Sequence, residues 1–443
     1  MIEDTVVVLC ESGIILGLFN DEKIIESDGY ERYNNKLLIK NKNSIYFYDI
    51  VSGVKGETFQ FNDIKIMKIN GEDSAGILTY DKKLYLIRNN KIIKELQDVE
   101  QFIYSGKYLS TQYKGELTFY HENNNILTLK NVNEFYQFND ILITLQKKKT
   151  ISIYKDKKMV FTKEFKNIEG LECKINNKEN KIMLLLTTEY VDNNYFGTKE
   201  LYLYFLDENK FRFLDYKIVN DYQFLDDKYV ICYGHQPSKI VICQNRIKEE
   251  YPSGFRNRVY YNSNMKMVCF CGMDNLSGNI EIFDCTKRDT IFKTKMLGVS
   301  EIMWSPSGTY LCTAVTNILK VDNKIVIYDY YGRKIAEREF KNLERVDWVG
   351  NSTFKKLEEP KVKNLEQEEV YIPPNRRGRI EKKVKTHKPI KKQVKVENTE
   401  ELKEKIQIIE ILKKKIQNNE KLSLEEMNLV LKESDIKKKL DKK

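Results

Sequence analysis

One stretch near the C-terminus carries Arg376, Arg377, Arg379, Lys382, Lys383, Lys385, Lys388, Lys391, Lys392 and Lys395 against Glu381 alone. Ten minus one gives +9, and the formal net charge of the 443-residue chain is +10, so the basicity is concentrated in this one segment. Closely spaced like charges repel one another, keep a segment extended and draw in a polyanion. The chemistry this offers is phosphate binding with counterion release, which weakens steeply as salt rises. No aromatic follows Tyr371 to stack on bases, so little sequence selectivity is expected of the strip.

Other chemistry is missing. The sequence has no phosphate-cradling Walker loop, dinucleotide fingerprint, His-Glu-x-x-His or nucleophile elbow. His121, His235 and His387 lie far apart without an acid or thiol partner, and Cys269 and Cys271 have no second pair at zinc-ligand spacing. The eight cysteines fall mostly in β-rich runs, where a thiol acts as a small buried hydrophobe. A non-catalytic binding protein is therefore expected, without metal or cofactor. No apolar run approaches the ~18 residues of a membrane span and no cleavable leader is evident, so no membrane partner and a cytoplasmic location are expected.

The element that must present these groups is a repeat. Apolar residues two apart recur as Ile14/Leu16, Ile45/Phe47, Leu84/Leu86, Leu117/Phe119, Ile151/Ile153, Leu201/Leu203, Ile240/Ile242, Ile280/Ile282 and Ile325/Ile327. Their first members are separated by 31, 39, 33, 34, 50, 39, 40 and 45 residues, the period of β-propeller blades. Tyr48, Tyr120, Tyr154, Tyr204, Phe283 and Tyr328 follow six of the pairs, and Asp49, Asp284 and Asp329 come next in three, in the place of a Trp-Asp dipeptide. Alternation of period two marks strands with a buried face. A second β-rich run precedes each, so the unit is a hairpin inside a four-stranded blade.

The first pair has one β run before it, Thr5 to Leu9, while Leu343 to Trp348 opens a blade that nothing finishes. Pairing those two runs closes a ring and removes the open strand edges. The hairpin connections Thr187 to Glu200, Gly272 to Asn279 and Thr316 to Lys324 are long and share one rim, the expected recognition face. The chain divides into a propeller over 1–354, a charged and basic linker over 355–397 and a helical segment over 398–443. In the last, Leu402, Ile406, Ile409, Leu412 and Ile416 form one apolar stripe, and Ser423 opens a second helix with Leu424, Met427 and Leu431.

Several motifs, in order and spacing, resemble the eukaryotic translation initiation factor 2A family. They are Asn194-Tyr-Phe-Gly197, Tyr233-Gly234 with Pro237, Arg256-Asn257, Asn275-Leu-Ser-Gly278, Trp304-Ser-Pro-Ser-Gly308, Val321-Asp-Asn323, Val346-Asp-Trp348 and Tyr371-Ile-Pro-Pro374. Met273-Asp274 depart from the pattern, which has Phe-Gly ahead of Asn275. The resemblance implies an all-β, nine-bladed WD40-like propeller closed by N- and C-terminal strands, followed by the basic linker and short C-terminal α-helices. It implies a translation initiation factor that binds the small ribosomal subunit and delivers initiator methionyl-tRNA without GTP. The basic tail would contact tRNA, mRNA or rRNA, and the C-terminal helices other initiation factors. Rim-binding residues expected on this basis are Asn194, Tyr195, Phe196, Gly197, Asn275, Leu276 and Gly278. The alternative is a WD-repeat protein–protein scaffold with no direct role for RNA. The propeller subunit of initiation factor 3 is a further relative, but an RNA-recognition motif normally precedes its propeller, whereas the repeats here start by Ile14.

Overall fold

In the second strand of one blade, Leu37 and Ile39 pack toward the preceding blade and Leu38, between them, toward the following one. That alternation, repeated around a ring, is the whole architecture. A computed structural model describes residues 4–122, 124–176, 178, 180–188, 198–244, 247–319, 322–350, 353–359, 364–365 and 409–410. Strands order themselves into nine antiparallel sheets. We number the blades in chain order and letter their strands A to D from the axis outward. Blade 2, for example, is Gly29–Tyr33, Lys36–Asn41, Ser44–Asp49 and Lys55–Gln60. The A strands of successive blades pack beside one another around the axis.

Every one of the nine apolar pairs lies on a C strand and points at the following blade. Ile45 and Phe47 meet blade 3, Ile151 and Ile153 meet blade 6, and Ile325 and Ile327 meet blade 1. The aromatics that follow the pairs point the other way: Tyr48, Tyr154 and Tyr204 each pack on the preceding blade. One clustered core therefore occupies each blade interface among the described residues, and there is no single central core. At about 25 cal/mol per Å² of apolar surface removed from water, these interfaces supply the main driving force for the ring. The aspartates of the Tyr-Asp and Phe-Asp dipeptides cap the C–D turn. Asp49 accepts from the Ser52 amide, Asp284 from the Thr286 and Lys287 amides, and Asp329 from the Tyr331 and Arg333 amides.

The ring closes as the sequence implies. Leu343–Val349 is the A strand of blade 1, and it pairs antiparallel with Thr5–Cys10 in a register from Thr5 opposite Val349 to Cys10 opposite Leu343. Gly13–Leu16 and Lys23–Ile25 complete that blade. Side-chain bonds lock the seam to blade 2: the Tyr30 hydroxyl donates to Asp347 at 2.8 Å, and Arg345 pairs with Asp347 at 2.8 Å while its guanidinium lies 4.7 Å from the Tyr30 ring.

Because consecutive strands are antiparallel neighbours, B–C and D–A connections fall on one rim, the upper, and A–B and C–D connections on the other, the lower. Trp304-Ser-Pro-Ser-Gly308 is a lower-rim turn. Gly308 has φ +72°, a Cβ there would stand 2.6 Å from the Ser263 hydroxyl, and the turn holds blades 8 and 1 through Asn262 and Asp4. Past this turn Phe354 packs on Tyr330, the Leu357 amide donates to the Tyr330 hydroxyl at 2.6 Å, and Lys287 pairs with Glu359. Asn364–Leu365 then adds a fifth, parallel strand to blade 8 beside Phe292 and Lys293. The compact unit runs from Met1 to Glu368, and Glu369 to Lys443 forms a second unit, of which Ile409 and Glu410 are described as helical. No helix among the described residues is long and apolar enough to cross a membrane.

Candidate functional site

Three of the singled-out motifs meet on the upper rim of blades 7 and 8. Gly234 to Pro237 is the B–C connection of blade 7, Phe255 to Asn257 the D–A connection into blade 8, and Gly272 to Gly278 the B–C connection of blade 8. The sequence spreads them over 45 residues, from 234 to 278, and antiparallel alternation returns each to the same side.

Arg256 is the pin of this site. Its side chain is 4% exposed, with the guanidinium 4.3 Å from the Phe270 ring centre, Nη2 donating to the Pro252 carbonyl and Nη1 4.0 Å from Glu281. Burial pushes its pKa down from the ordinary arginine value, and the Glu281 carboxylate pulls it back up. Nε and Nη1 have no hydrogen-bond partner among the described residues, so the charge is held by the ring face and one nearby acid. A Cβ on Gly254 would stand 2.7 Å from Nε, which is why the strand ends in glycine there. The Arg256 backbone is held equally well. Its amide donates to Gln236 Oε1 at 3.1 Å, and its carbonyl accepts from Gln236 Nε2 at 2.9 Å and Ser238 Oγ at 2.5 Å. Beside that carbonyl the Cys232 thiol is pushed up to about 11 by burial, which keeps it un-ionised.

With Arg256 fixed inside, its neighbour Phe255 is forced outward and is 58% exposed. The same device recurs along the rim. Leu297, 73% exposed, stands between buried Met296 and Val299 in the D–A connection to blade 9, where the Met296 amide donates to the Gly278 carbonyl. Ile318, 71% exposed, tops the short 3-10 turn Asn317–Leu319 in the B–C connection of blade 9, with Asn317 bonded to Asn342 at 2.8 Å. Ile218, at φ +57°, sits in the D–A connection to blade 7 and is also exposed. A β-branched residue in the left-handed region is strained, and its carbonyl is held there by the Gly234 amide at 2.9 Å. The arrangement is an apolar crescent over blades 7 to 9, set in a polar frame.

The expected rim residues divide. Asn275 is exposed at the tip of its loop. Leu276 is half-buried and folds back over Gly272, whose Cβ, if present, would lie 3.1 Å from the Leu276 Cβ. Gly278 is structural, since at φ +72° a Cβ would meet the Met296 carbonyl oxygen at 1.9 Å. Asn257 ties the loop down, accepting from the Met273 amide at 2.8 Å and donating to its carbonyl at 3.0 Å. The departure at Asp274 has a physical reading. It occupies φ +59°, the conformation glycine takes freely and aspartate tolerates, and its carboxylate pairs with Arg258 at 3.1 Å. Asn194, Tyr195, Phe196 and Gly197 lie outside the described residues, as do the basic residues from Arg376 to Lys395. Sequence reasoning quoted Arg256-Asn257 without making them site residues and missed Phe255, Leu297 and Ile318. The available signal was an apolar residue beside a buried anchor in a connection. No group of three or more His, Cys, Asp or Glu among the described residues could hold a metal ion.

Similarity to known proteins falls in this half of the ring. Residues 163–346 match the family model described as Eukaryotic translation initiation factor eIF2A. A Saccharomyces cerevisiae protein described as eukaryotic translation initiation factor 2A is 30% identical over 117 residues, 26% of this chain and 18% of that protein. Its Drosophila melanogaster counterpart is 27% identical over 125 residues, 27% of this chain and 19% of that protein. The matched segment thus spans about a fifth of each of these relatives. A solved structure described as the crystal structure of the eukaryotic initiation factor superposes with a TM-score of 0.68 at 17% identity, covering 79% of this chain and 99% of that one. At that identity the likeness speaks for the fold.

Proposed function

We propose that the chain, which over residues 163–346 is similar to the eukaryotic translation initiation factor 2A family, is a non-catalytic initiation factor whose upper rim over blades 7 to 9 docks on the small ribosomal subunit. In this reading the basic segment from Arg376 to Lys395 contacts RNA through phosphates, and initiator methionyl-tRNA is delivered without GTP. The site of action is the cytoplasm. The observation that carries the proposal is the convergence of Gly234 to Pro237, Arg256-Asn257 and Asn275 to Gly278 on one rim, with Phe255 and Asn275 held outward at its edge. A surface in which buried anchors fix exposed groups suits a partner that must be met in one orientation.

The exposed apolar residues Phe255, Leu297 and Ile318 favour a protein as the immediate neighbour of this rim, because an apolar patch gains by leaving water and gains nothing from phosphate. A ribosomal protein meets that requirement within initiation, and a scaffold role meets it without RNA. Co-sedimentation of the full chain with purified small subunits separates them. Phe255→Asp with Leu297→Asp is expected to lower subunit binding at least about tenfold while thermal unfolding is unchanged. Binding by neither wild type nor variant would overturn the ribosomal reading.

A further inference from the structure

Four neighbouring upper-rim connections are 114–115 and 147–149, the B–C turns of blades 4 and 5, and 130–131 and 165–167, which lead from blade 4 to 5 and from blade 5 to 6. They carry Lys114, Lys130, Lys147, Lys148, Lys149 and Lys166, all exposed, and no acid. On the lower rim of the same blades the connections mix Glu122, Asp140, Asp156, Asp207 and Glu208 with Lys107, Lys157 and Lys178. The positive charge is therefore one-sided. The acids near the six lysines are Glu116, Glu134, Glu164 and Glu169 at the adjoining strand ends and Asp98 and Glu100 in the connection 97–100 into blade 4, where Glu100 accepts from the Lys114 amide at 3.1 Å and pairs with Lys82 at 2.9 Å. Of these, Glu134 is also engaged by the Leu171 amide and Glu169 by Lys148 at 3.2 Å. Among the described residues, Lys148 alone of the six lysines makes an ion pair.

This surface is built into the fold. Gln146 Nε2 donates to the Lys130 carbonyl at 3.0 Å, the Lys147 amide to the Asn131 carbonyl at 3.0 Å and the Lys148 amide to Asn133 Oδ1 at 2.7 Å. On the other side, the Ile168 and Phe165 amides donate to the carbonyls of Lys148 and Lys149 at 2.8 Å each. Each lysine-bearing turn is thus bonded to the next. Lys147 and Lys148 hold φ of +51° and +53° in the tight turn.

We propose that this lysine surface on the upper rim of blades 4 to 6 is an RNA-binding site that engages the phosphate backbone, separate from both the apolar crescent and the C-terminal strip. Aromatics beside the lysines favour RNA over other polyanions. The Tyr113 ring has the Nζ atoms of Lys114 and Lys82 each 5.1 Å from its centre, and Tyr80, in the B–C connection of blade 3, is 68% exposed. Cations next to accessible rings are the pairing that neutralises phosphates and stacks bases. The connections contain no arginine, whose planar fork reads bases and phosphates bidentately, so contact is by point charge and tolerant of sequence. The inference rests on the initiation reading for its biological setting, but its test uses naked RNA and can fail independently of ribosome binding.

The experiment uses the full chain with Arg376, Arg377, Arg379, Lys382 and Lys383 changed to Glu, so that the tail strip is silenced. Binding of a labelled oligouridine of about 20 nucleotides is followed by fluorescence anisotropy across about 50 to 200 mM salt. Adding Lys130→Glu, Lys147→Glu, Lys149→Glu and Lys166→Glu is expected to lower affinity at least about tenfold and to reduce the salt slope by about two to three, since each phosphate contact on a single strand contributes about 0.7. The lower-rim pair Lys107→Glu and Lys157→Glu is expected to leave both unchanged. Equal affinity and slope with and without the four substitutions overturns the proposal. So does loss of binding to phosphatidylserine vesicles or polyglutamate with RNA binding retained. Ultraviolet crosslinking of the unsubstituted chain to the same RNA guards against misfolding of the variant: crosslinks are expected on peptides within 111–135 and 143–170, and their absence also overturns the proposal.

Discussion

The upper rim over blades 4 to 6 and the upper rim over blades 7 to 9 stand on the same strand frame and share almost no surface chemistry. In the first region the connections 114–115, 130–131, 147–149 and 165–167 are two or three residues long, rich in lysine, and closed by backbone bonds between neighbouring turns. Over blades 7 to 9 they are longer, hold side chains such as Arg256 and Asn257 inside, and push Phe255, Leu297 and Ile318 out. Most of the matched segment 163–346 builds the second region. The lesson is that B and C strands set the frame, which any apolar alternation satisfies, while connections set identity. Buried polar anchors are what make a connection hard to replace.

The largest expected effect tests what the two regions share. Ending the chain after Asn342 removes Leu343, Val346, Trp348 and Val349, all at most 4% exposed. At about 2 kcal/mol for each buried side chain this totals roughly 8 kcal/mol, as much as a whole domain's stability. Both rims are expected to lose structure together, read as a fall in cooperative unfolding by circular dichroism and as aggregation. If the truncated chain melts like the full one, the closed ring is wrong.

The next prediction separates the regions. Gly115 and Gly278 have φ of +76° and +72°, but a Cβ on Gly115 finds nothing nearer than the Val132 carbonyl at 3.8 Å, whereas one on Gly278 meets a carbonyl at 1.9 Å. Gly115→Ala is expected to cost about 1 kcal/mol, the left-handed penalty alone, and Gly278→Ala about 3 kcal/mol or more because the Met296 backbone must move. Equal melting temperatures would erase the contrast between tight turn and anchored loop. A smaller difference is expected for asparagines. Asn257→Ala breaks two bonds to the Met273 backbone and should cost about 1–2 kcal/mol, while Asn133→Ala loses one exposed bond to the Lys148 amide and should cost about 0.5 kcal/mol in chemical denaturation.

The smallest effect concerns pH at the seam between blades 9 and 1. Burial, with Asp347 nearby, raises the Glu301 carboxyl above its ordinary value, and Arg345 pulls it down. The folded state then holds a proton the unfolded state releases more readily. The stability contributed by this group is present below the ordinary glutamate range and is lost as pH rises through the folded value. Glu301→Gln is expected to flatten the dependence of melting temperature on pH just above that range, and an unaltered profile would remove Glu301 from the account.

The frame was legible in the sequence because each C-strand pair carries period-two burial twice over: Ile45 and Phe47 face one blade while Tyr46 and Tyr48 face the other. Closure was legible because an unfinished blade at Leu343 matched a missing strand at Thr5. The rims were only partly legible. Phe255 and Leu297 look like core residues in sequence, and their exposure is decided by the neighbours Arg256 and Met296, which take the inside place. The lysines of blades 4 to 6 lie scattered from 114 to 166 and become one surface only through the turn-to-turn bonds at Asn131, Gln146 and Lys148. The tail strip, read from contiguous charge alone, lies outside the described residues.

The seam also fixes when this molecule can exist. Thr5 pairs with Val349, so the strand Thr5–Cys10 waits during synthesis for a partner about 340 residues behind it. At roughly 10 residues per second that delay is on the order of half a minute, during which blade 1 presents an open edge to its surroundings. Blades 2 to 9 can each form as their own hairpins emerge, with short sequence separations and rapid closure. The last strand then converts a curved stack of finished blades into a disc, so the nascent ring stays an unclosed arc until Val349 has been made.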